Sequence, residues 1–148
     1  MTPLFEACVQ VEGGDPPIEP SEARRLLRSL ARRLMVPHRS VGVLFADNAR
    51  LRELNRRYRG MDRPTDVLSF PVGEDASPDD AGAWHLGDIA ISSEMTRRQG
   101  RRRGHGASRE ARVLLIHGFL HLLGYDHEKD DGQMDLLERT LRWEMTRR

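Results

Sequence analysis

Apolar and polar residues alternate from Phe5 to Glu12, with Phe5, Ala7, Val9 and Val11 on one side and Glu6, Cys8, Gln10 and Glu12 on the other. A period of two is the signature of a half-buried strand. Gly13 to Pro20 reads as a loop, and the period then changes. Ala23, Leu26, Leu27, Leu30 and Leu34 recur at helical spacing, with Ser21 as the N-cap and Pro37 beyond the end. Val41 to Ala46 predicts a second strand, and Asp47 or Asn48 caps a helix through about Tyr58 that Gly60 stops. Thr65 to Val72 predicts a third strand, in which Pro71 points to a sheet edge or a strand terminus. A loop from Gly73 to Ala83 follows, then a fourth strand from Asp88 to Ser92. Ser93 is placed to cap a short helix that dissolves between Gly100 and Gly106. Ser108 is placed to cap the most apolar helix, which runs to about Leu123 and ends at Gly124. A last amphipathic helix starts near Asp131 and carries Met134, Leu137 and Leu141.

Strands and helices are mixed without regular alternation, with no internal repeat and no phosphate-binding glycine fingerprint. The expected class is α+β: one domain over residues 1–148, a mixed sheet of about four strands packed with about five helices. The strand order does not follow from the pattern. At 148 residues a chain buries roughly two-thirds of its unfolded surface and needs no disulfide or metal merely to fold. Composition agrees with a globular domain, 38% hydrophobic and 32% charged. The apolar run Val113 to Ile116 is far too short to cross a bilayer. The first residues lack the basic and apolar segments of a signal peptide. Cys8 is the only cysteine, which excludes internal disulfides and fits a reducing, cytoplasmic setting.

The net charge of +1 hides an uneven distribution. Nearly every basic residue is arginine, Lys129 being the one lysine. Arg97, Arg98, Arg101, Arg102, Arg103, Arg109 and Arg112 crowd one stretch, while Glu74, Asp75, Asp79 and Asp80 form an acidic one. Such runs are usually solvated faces. A planar guanidinium also grips phosphate in two-pronged fashion, so the arginine run is compatible with a nucleic-acid backbone.

The chemistry concentrates in His117-Gly118-Phe119-Leu120-His121-Leu122-Leu123-Gly124-Tyr125-Asp126-His127. Four residues make slightly more than one helical turn, so His117 and His121 project from one face and can share a metal at about 2.0–2.1 Å from each nitrogen. Gly124 permits a left-handed turn past the helix end, which brings His127 back as a third ligand. Three protein ligands leave a fourth position to water, the arrangement of a catalytic rather than a structural zinc. The spacing is that of the metzincin signature with one difference. Such peptidases place a glutamate base directly after the first histidine, and here that position is Gly118. One histidine on an apolar helix is usually a satisfied core residue. His38, His85 and His105 stand alone and receive no role.

With its Gly118 variant the triad resembles the YbeY family of bacterial endoribonucleases. Tyr58 to Pro71, reading YRGMDRPTDVLSFP, looks like that family's second motif, and Leu86-Gly87-Asp88-Ile89 looks like its third. The resemblance covers the chain from about Val41 to Leu141. It implies a hydrolase that cuts single-stranded RNA with one Zn2+ per chain and acts in ribosomal RNA maturation and ribosome quality control. It implies the small ribosomal subunit as a partner, with an Era-type GTPase as a further one, and no membrane. By position, His117, His121 and His127 become the metal ligands and Arg59 the catalytic arginine. Asp66 stands where the motif often has asparagine, and residue 66 is left out of the site.

The expected mechanism is metal-assisted hydrolysis, in which zinc acidifies its bound water and Arg59 steadies the charge growing on phosphorus. Asp126, Glu128 and the substrate's own phosphate are open candidates for moving the proton. Two rival functions use the same residues. A metallopeptidase shares the triad but lacks the glutamate, and a non-catalytic ribosome assembly factor would use zinc only to clamp the C-terminal helices.

Overall fold

The computed structural model describes residues 5–36, 39–72, 84–126 and 128–146. Nine elements alternate irregularly, as the mixed pattern anticipates: β1 (Glu6–Val11), α1 (Pro20–Arg33), β2 (Arg39–Ala46), α2 (Asn48–Arg59), β3 (Val67–Pro71), β4 (Trp84–Ser92), α3 (Ser93–Arg103), α4 (Gly106–Leu122) and α5 (Gln133–Met145). The fold is α+β, and the described residues form one four-stranded sheet in the order β1-β2-β4-β3. β1 pairs with β2 and β2 with β4 in parallel, whereas β3 runs antiparallel to β4. Pro71 ends β3, which is an edge strand, so its missing N–H costs no ladder bond to a further strand.

One face of the sheet holds the main core. Val41, Val43 and Phe45 of β2 and Ile89 and Ile91 of β4 pack with Leu27 and Leu30 of α1 and Leu115, Ile116 and Phe119 of α4. α4 is apolar nearly all round because it is covered nearly all round, touching α1, α3, α5, β3 and β4. The half-buried alternation of β1 holds from Phe5 to Gln10, with Phe5, Ala7 and Val9 packed on this core and Cys8 and Gln10 facing out; Val11, expected on the packed side, is exposed at the strand's end. On the opposite face only part of the sheet is covered. There Leu51 of α2 joins Ala46, Leu68 and Ala90 in a small second cluster, with Leu44, Leu54 and Phe70 around it.

Several helix starts differ from the sequence expectation. Ser21 lies inside α1, whose N-cap is Glu19, because Pro20 occupies the first turn with the fixed φ that suits it. Ser92, not Ser93, caps α3 by accepting from the Met95 amide at 3.1 Å. That helix passes through Gly100 and ends at Arg103, capped by Gly104, within the stretch where its end was expected. Gly100 is buried against the backbone of Gly106, where a side chain would collide with the chain turning into α4. α4 accordingly begins at Gly106, and Ser108 sits within its first turn. β4 starts at Trp84, four residues before the expected Asp88, through its pairing with Arg39 and Ser40. Asp47 and Gly60 cap α2 as anticipated, Asp47 accepting from the Arg50 amide at 2.9 Å.

Candidate functional site

α4 carries His117 and His121 on the face left partly open beside β3 and the loop that follows the helix. The two rings stand 4.6 Å apart between centroids at 72°, with their Nε2 atoms 3.1 Å from each other. Nδ1 of His117 lies 2.6 Å from Oε1 of Glu138 on α5. The Glu138 side chain is only 7% exposed. A carboxylate at that distance accepts a hydrogen bond from Nδ1–H, so in the neutral ring Nε2 of His117 holds a lone pair and points it at His121.

Two ring nitrogens at this separation share either a proton, carried as N–H by one of them, or a cation that lies near both. Two ligands bound to one tetrahedral zinc at about 2.0–2.1 Å each are about 3.3–3.4 Å apart. The observed 3.1 Å therefore fits a shared ion, and the Glu138 contact is the outer hydrogen bond that metal-binding histidines ordinarily make. His127, the third ligand expected from the spacing, lies outside the described residues. Among the described residues alone, no group of three His, Cys, Asp or Glu is gathered around one point.

The turn after α4 forms as the sequence predicts. Gly124 adopts φ 96°, its N–H donates to the His121 carbonyl at 3.0 Å, and the Tyr125 N–H donates to the Leu120 carbonyl at 3.1 Å. These two bonds close the helix end and turn the chain back. A cleft of about 430 Å³ opens here, lined by Arg59, Ser69, Pro71, His117, His121, Tyr125 and Asp126 among others. Arg59, at the last residue of α2, thus shares one cavity with both histidines although 58 positions separate it from His117 in the chain. Asp126 lines the cleft, its Oδ1 accepting from the Glu128 amide at 2.9 Å; Glu128 is exposed and does not line it.

Gly118 explains the missing glutamate in steric terms. It is buried where α4 crosses the sheet, its carbonyl accepts from Ser69 Oγ at 3.1 Å, and a Cβ there would stand 3.0 Å from Ile89 Cγ2 and 3.2 Å from Ser69 Oγ. A side chain at 118 would be wedged between Ile89 of the sheet and the cleft-lining Ser69. Sequence reasoning missed Glu138 altogether, although a signal existed: it lies in register with Met134 and Leu141 on the buried stripe of α5.

The remaining candidates have structural partners. Of the arginine run, Arg103 pairs with the fully buried Glu110 at 2.8 Å, Arg112 pairs with Glu22 at 3.1 Å, and Arg97 donates to the Asp15 carbonyl. Arg98, Arg101 and Arg102 are exposed. His105 also binds Glu110, at 2.7 Å, and helps fasten the α3–α4 turn. His85 contacts Ser40 and Asp88 on the outer sheet face, and His38 lies outside the described residues. Asp66 holds β3 in place, accepting from the Val67 amide at 2.8 Å and from Gln99 at 3.3 Å.

Residues 18–143 match the family described as Endoribonuclease YbeY. The chain belongs to this family. Among curated relatives of that same description, one from Roseiflexus sp. (strain RS-1) is 53% identical over 108 residues, 68% of this chain and 67% of the relative. Another from Sulfurovum sp. (strain NBC37-1) is 43% identical over 104 residues, 70% of this chain and 71% of the relative. A third, from Chelativorans sp. (strain BNC1), is 38% identical over 146 residues, 95% and 89% of the two chains. The solution structure of a Thermotoga maritima protein superposes with a TM-score of 0.62 at 27% identity, covering 94% of this chain and 88% of that one. The family match includes Arg59, Gly118 and all three histidines of the 117–127 segment within its bounds.

Proposed function

We propose that the cleft between α4, β3 and the end of α2 is the active site of a zinc-dependent endoribonuclease that cuts single-stranded ribosomal RNA during its maturation. That the chain is an endoribonuclease follows from the family to which it belongs. Zinc dependence and the site residues are the further step, and the observation that carries them is the 3.1 Å approach of the two Nε2 atoms, with Glu138 fixing the tautomer of one ring. His117, His121 and His127 would hold the ion, and Arg59 acts on the substrate.

A zinc ion so held supplies a water acidified towards neutrality and a Lewis acid for a phosphoryl oxygen. Everything else is done by the protein's own groups. Arg59 is permanently charged and two-pronged, and from the cleft wall it stabilises the negative charge that builds on the phosphoryl oxygens. Glu138 holds the His117 ring in one orientation. Of the two acidic residues next to His127, Asp126 is the one placed to take a proton within the cleft. The small ribosomal subunit and an Era-type GTPase are the partners this reading expects, in the cytoplasm. Among the described residues no helix is long and apolar enough to cross a membrane.

The peptidase alternative loses its support at Gly118, which stands where such enzymes place the glutamate base and where a side chain would press on Ile89 and Ser69. The test is parallel incubation with a single-stranded oligoribonucleotide, its DNA counterpart and a casein digest, each with and without chelator. Chelator-sensitive cleavage confined to RNA is expected. Peptide cleavage with intact RNA, or RNA cleavage indifferent to chelator, overturns the proposal. An assembly factor without catalysis would leave the oligoribonucleotide intact in every tube.

A further inference from the structure

A second cavity, about 540 Å³, lies on the opposite face of the sheet from the histidines. α2 covers only part of that face, and beyond it the strands form an open shelf. Across the shelf the register aligns Cys8 of β1, Gly42 of β2, Asp88 of β4 and Phe70 of β3. Gly42 has no side chain, which leaves the floor flat; a methyl there would collide with the Asp88 carboxylate. One wall is aromatic. Tyr58, 61% exposed, meets Phe70 edge to face with ring centroids 5.3 Å apart at 67°. A large, flat ring left this open to solvent beside an apolar floor is a stacking platform.

The polar groups of the shelf are oriented. Ser40 Oγ lies 2.9 Å from Nδ1 of His85, and Nε2 of His85 lies 3.1 Å from Oδ1 of Asp88. With the Asp88 carboxylate accepting from Nε2–H, Nδ1 is the acceptor for the Ser40 hydroxyl, and the chain of bonds fixes the carboxylate over Gly42. Asp88 lines the shelf, and its Oδ2 remains as an acceptor. Guanine presents N1–H and N2–H side by side to a carboxylate, and cytosine presents an amino group; uracil offers two carbonyls and a single N–H.

The shelf also joins the cleft. Tyr58 lines the shelf and Arg59, the next residue, lines the cleft; Phe70 lines the shelf while Ser69 and Pro71, on either side of it, line the cleft. Among the described residues, the edge strand β3 is the wall of the sheet between them. Arg56 and Arg57 are exposed on the same last turn of α2, positioned for a phosphate that crosses this edge.

We propose that the shelf is a second subsite of the ribonuclease, where a base flanking the scissile phosphate stacks on Tyr58 and turns an amino-bearing edge, guanine best, towards Asp88. The inference rests on the ribonuclease reading of the cleft, but its first test does not use cleavage. Titration of the full chain with 5′-GMP and with 5′-UMP, followed by NMR of the backbone amides, is expected to shift Gly42, Leu44, Phe70 and Asp88 saturably. GMP should bind several-fold more tightly than UMP. Tyr58→Ala is expected to weaken GMP binding roughly tenfold or more, as loss of one stacking partner does. Tyr58→Phe, which keeps the ring, restores it, and Asp88→Asn abolishes the preference for GMP over UMP. On a long oligoribonucleotide Tyr58→Ala should carry its loss in KM rather than in kcat. The inference is overturned if neither nucleotide moves the shelf amides, or if Tyr58→Ala binds GMP as the unmodified chain does. Cleavage intact with a silent shelf removes the subsite alone. Shelf shifts in a chain that cuts no RNA uphold nucleotide binding there and remove the ribonuclease reading instead.

Discussion

Replacing Glu138 by glutamine removes one negative charge from the site and leaves the side chain's shape almost unchanged. Glu138 is buried, and its Oε1 lies 2.6 Å from Nδ1 of His117 with Arg142 Nη2 at 3.8 Å as a weaker second partner. A hydrogen bond to an ionised, desolvated group is worth about 1.5–3 kcal/mol. Outer-shell partners of metal-binding histidines typically contribute roughly 10- to 100-fold in metal affinity, or about 1.4–2.7 kcal/mol, so the two scales agree. Glutamine can still offer a carbonyl to Nδ1–H, which keeps the tautomer; what it removes is the charge that makes His117 a better donor to a cation. The expected result for Glu138→Gln is therefore a folded protein whose zinc affinity, measured by competition with a chromophoric chelator, falls roughly 10- to 100-fold. RNA cleavage should fall in parallel at limiting zinc and recover largely at saturating zinc. Zinc affinity within twofold of the unmodified chain, with circular dichroism confirming the fold, would refute the assignment of Glu138 as a support for the metal.

Arg59→Ala should leave fold and zinc content intact while lowering kcat for a single-stranded oligoribonucleotide by roughly 10²- to 10³-fold, the usual cost of removing one donor to a developing oxyanion; unaltered kcat would place the arginine outside the chemistry. Gly118→Glu should not create a peptidase, because a side chain there is crowded from its Cβ onward by Ile89 and Ser69. An unpaired buried charge of that kind costs about 3–5 kcal/mol, so the variant is expected to be largely unfolded by urea titration, and a stable Gly118→Glu protein with casein activity would contradict the geometry. Asp62 is held below the ordinary carboxylate range by the hydrogen bond from Arg52 at 2.8 Å. A lowered folded-state pKa contributes stability that is complete above the unfolded value, about 3.9, and is lost as pH falls through the folded one. Arg52→Gln should accordingly lower the urea midpoint slightly in the neutral region and leave it unchanged at the acid extreme, which flattens the acid limb; an acid limb identical to the unmodified chain's would exclude the pair as a contributor.

What was legible in the sequence is what local geometry alone determines. The pairing of His117 with His121 follows from the pitch of a helix, and the turn at Gly124 follows from the positive φ that glycine tolerates, so both could be read without knowing what surrounds them. The caps at Asp47 and Gly60 were legible for the same reason. The helix starts at Pro20 and Gly106 were not, because serine at 21 and 108 is a good cap by type while the backbone at each site was already helical. Gly100 looked like a breaker, yet its role is tertiary: it lets α3 and the start of α4 touch backbone to backbone. The strand order, with β4 inserted between β2 and β3, depends on pairings between segments far apart in the chain and leaves no local trace.

The site divides along the same line. Arg59 came to the site through a family motif, and the structure adds the reason it can act there, a common cavity with both histidines. Glu138 escaped because a glutamate on an amphipathic helix is ordinarily read as solvated, and only its place on the stripe of Met134 and Leu141 marked it as inward. The arginine run divides into two physical roles that composition cannot separate. Arg97, Arg103 and Arg112 hold the fold together through Asp15, Glu110 and Glu22, and Arg98, Arg101 and Arg102 face solvent.

The central claim is that one ion held by His117, His121 and His127 is the seat of RNA hydrolysis, and metal content read alongside cleavage in the same preparations tests it most directly. The unmodified chain should carry about one zinc per chain, as three histidine ligands and an open position require, and cut single-stranded RNA. His121→Ala should lose metal and cleavage together while circular dichroism reports an unchanged fold. Full cleavage by a metal-free preparation, or by His121→Ala at a zinc content near zero, would contradict it.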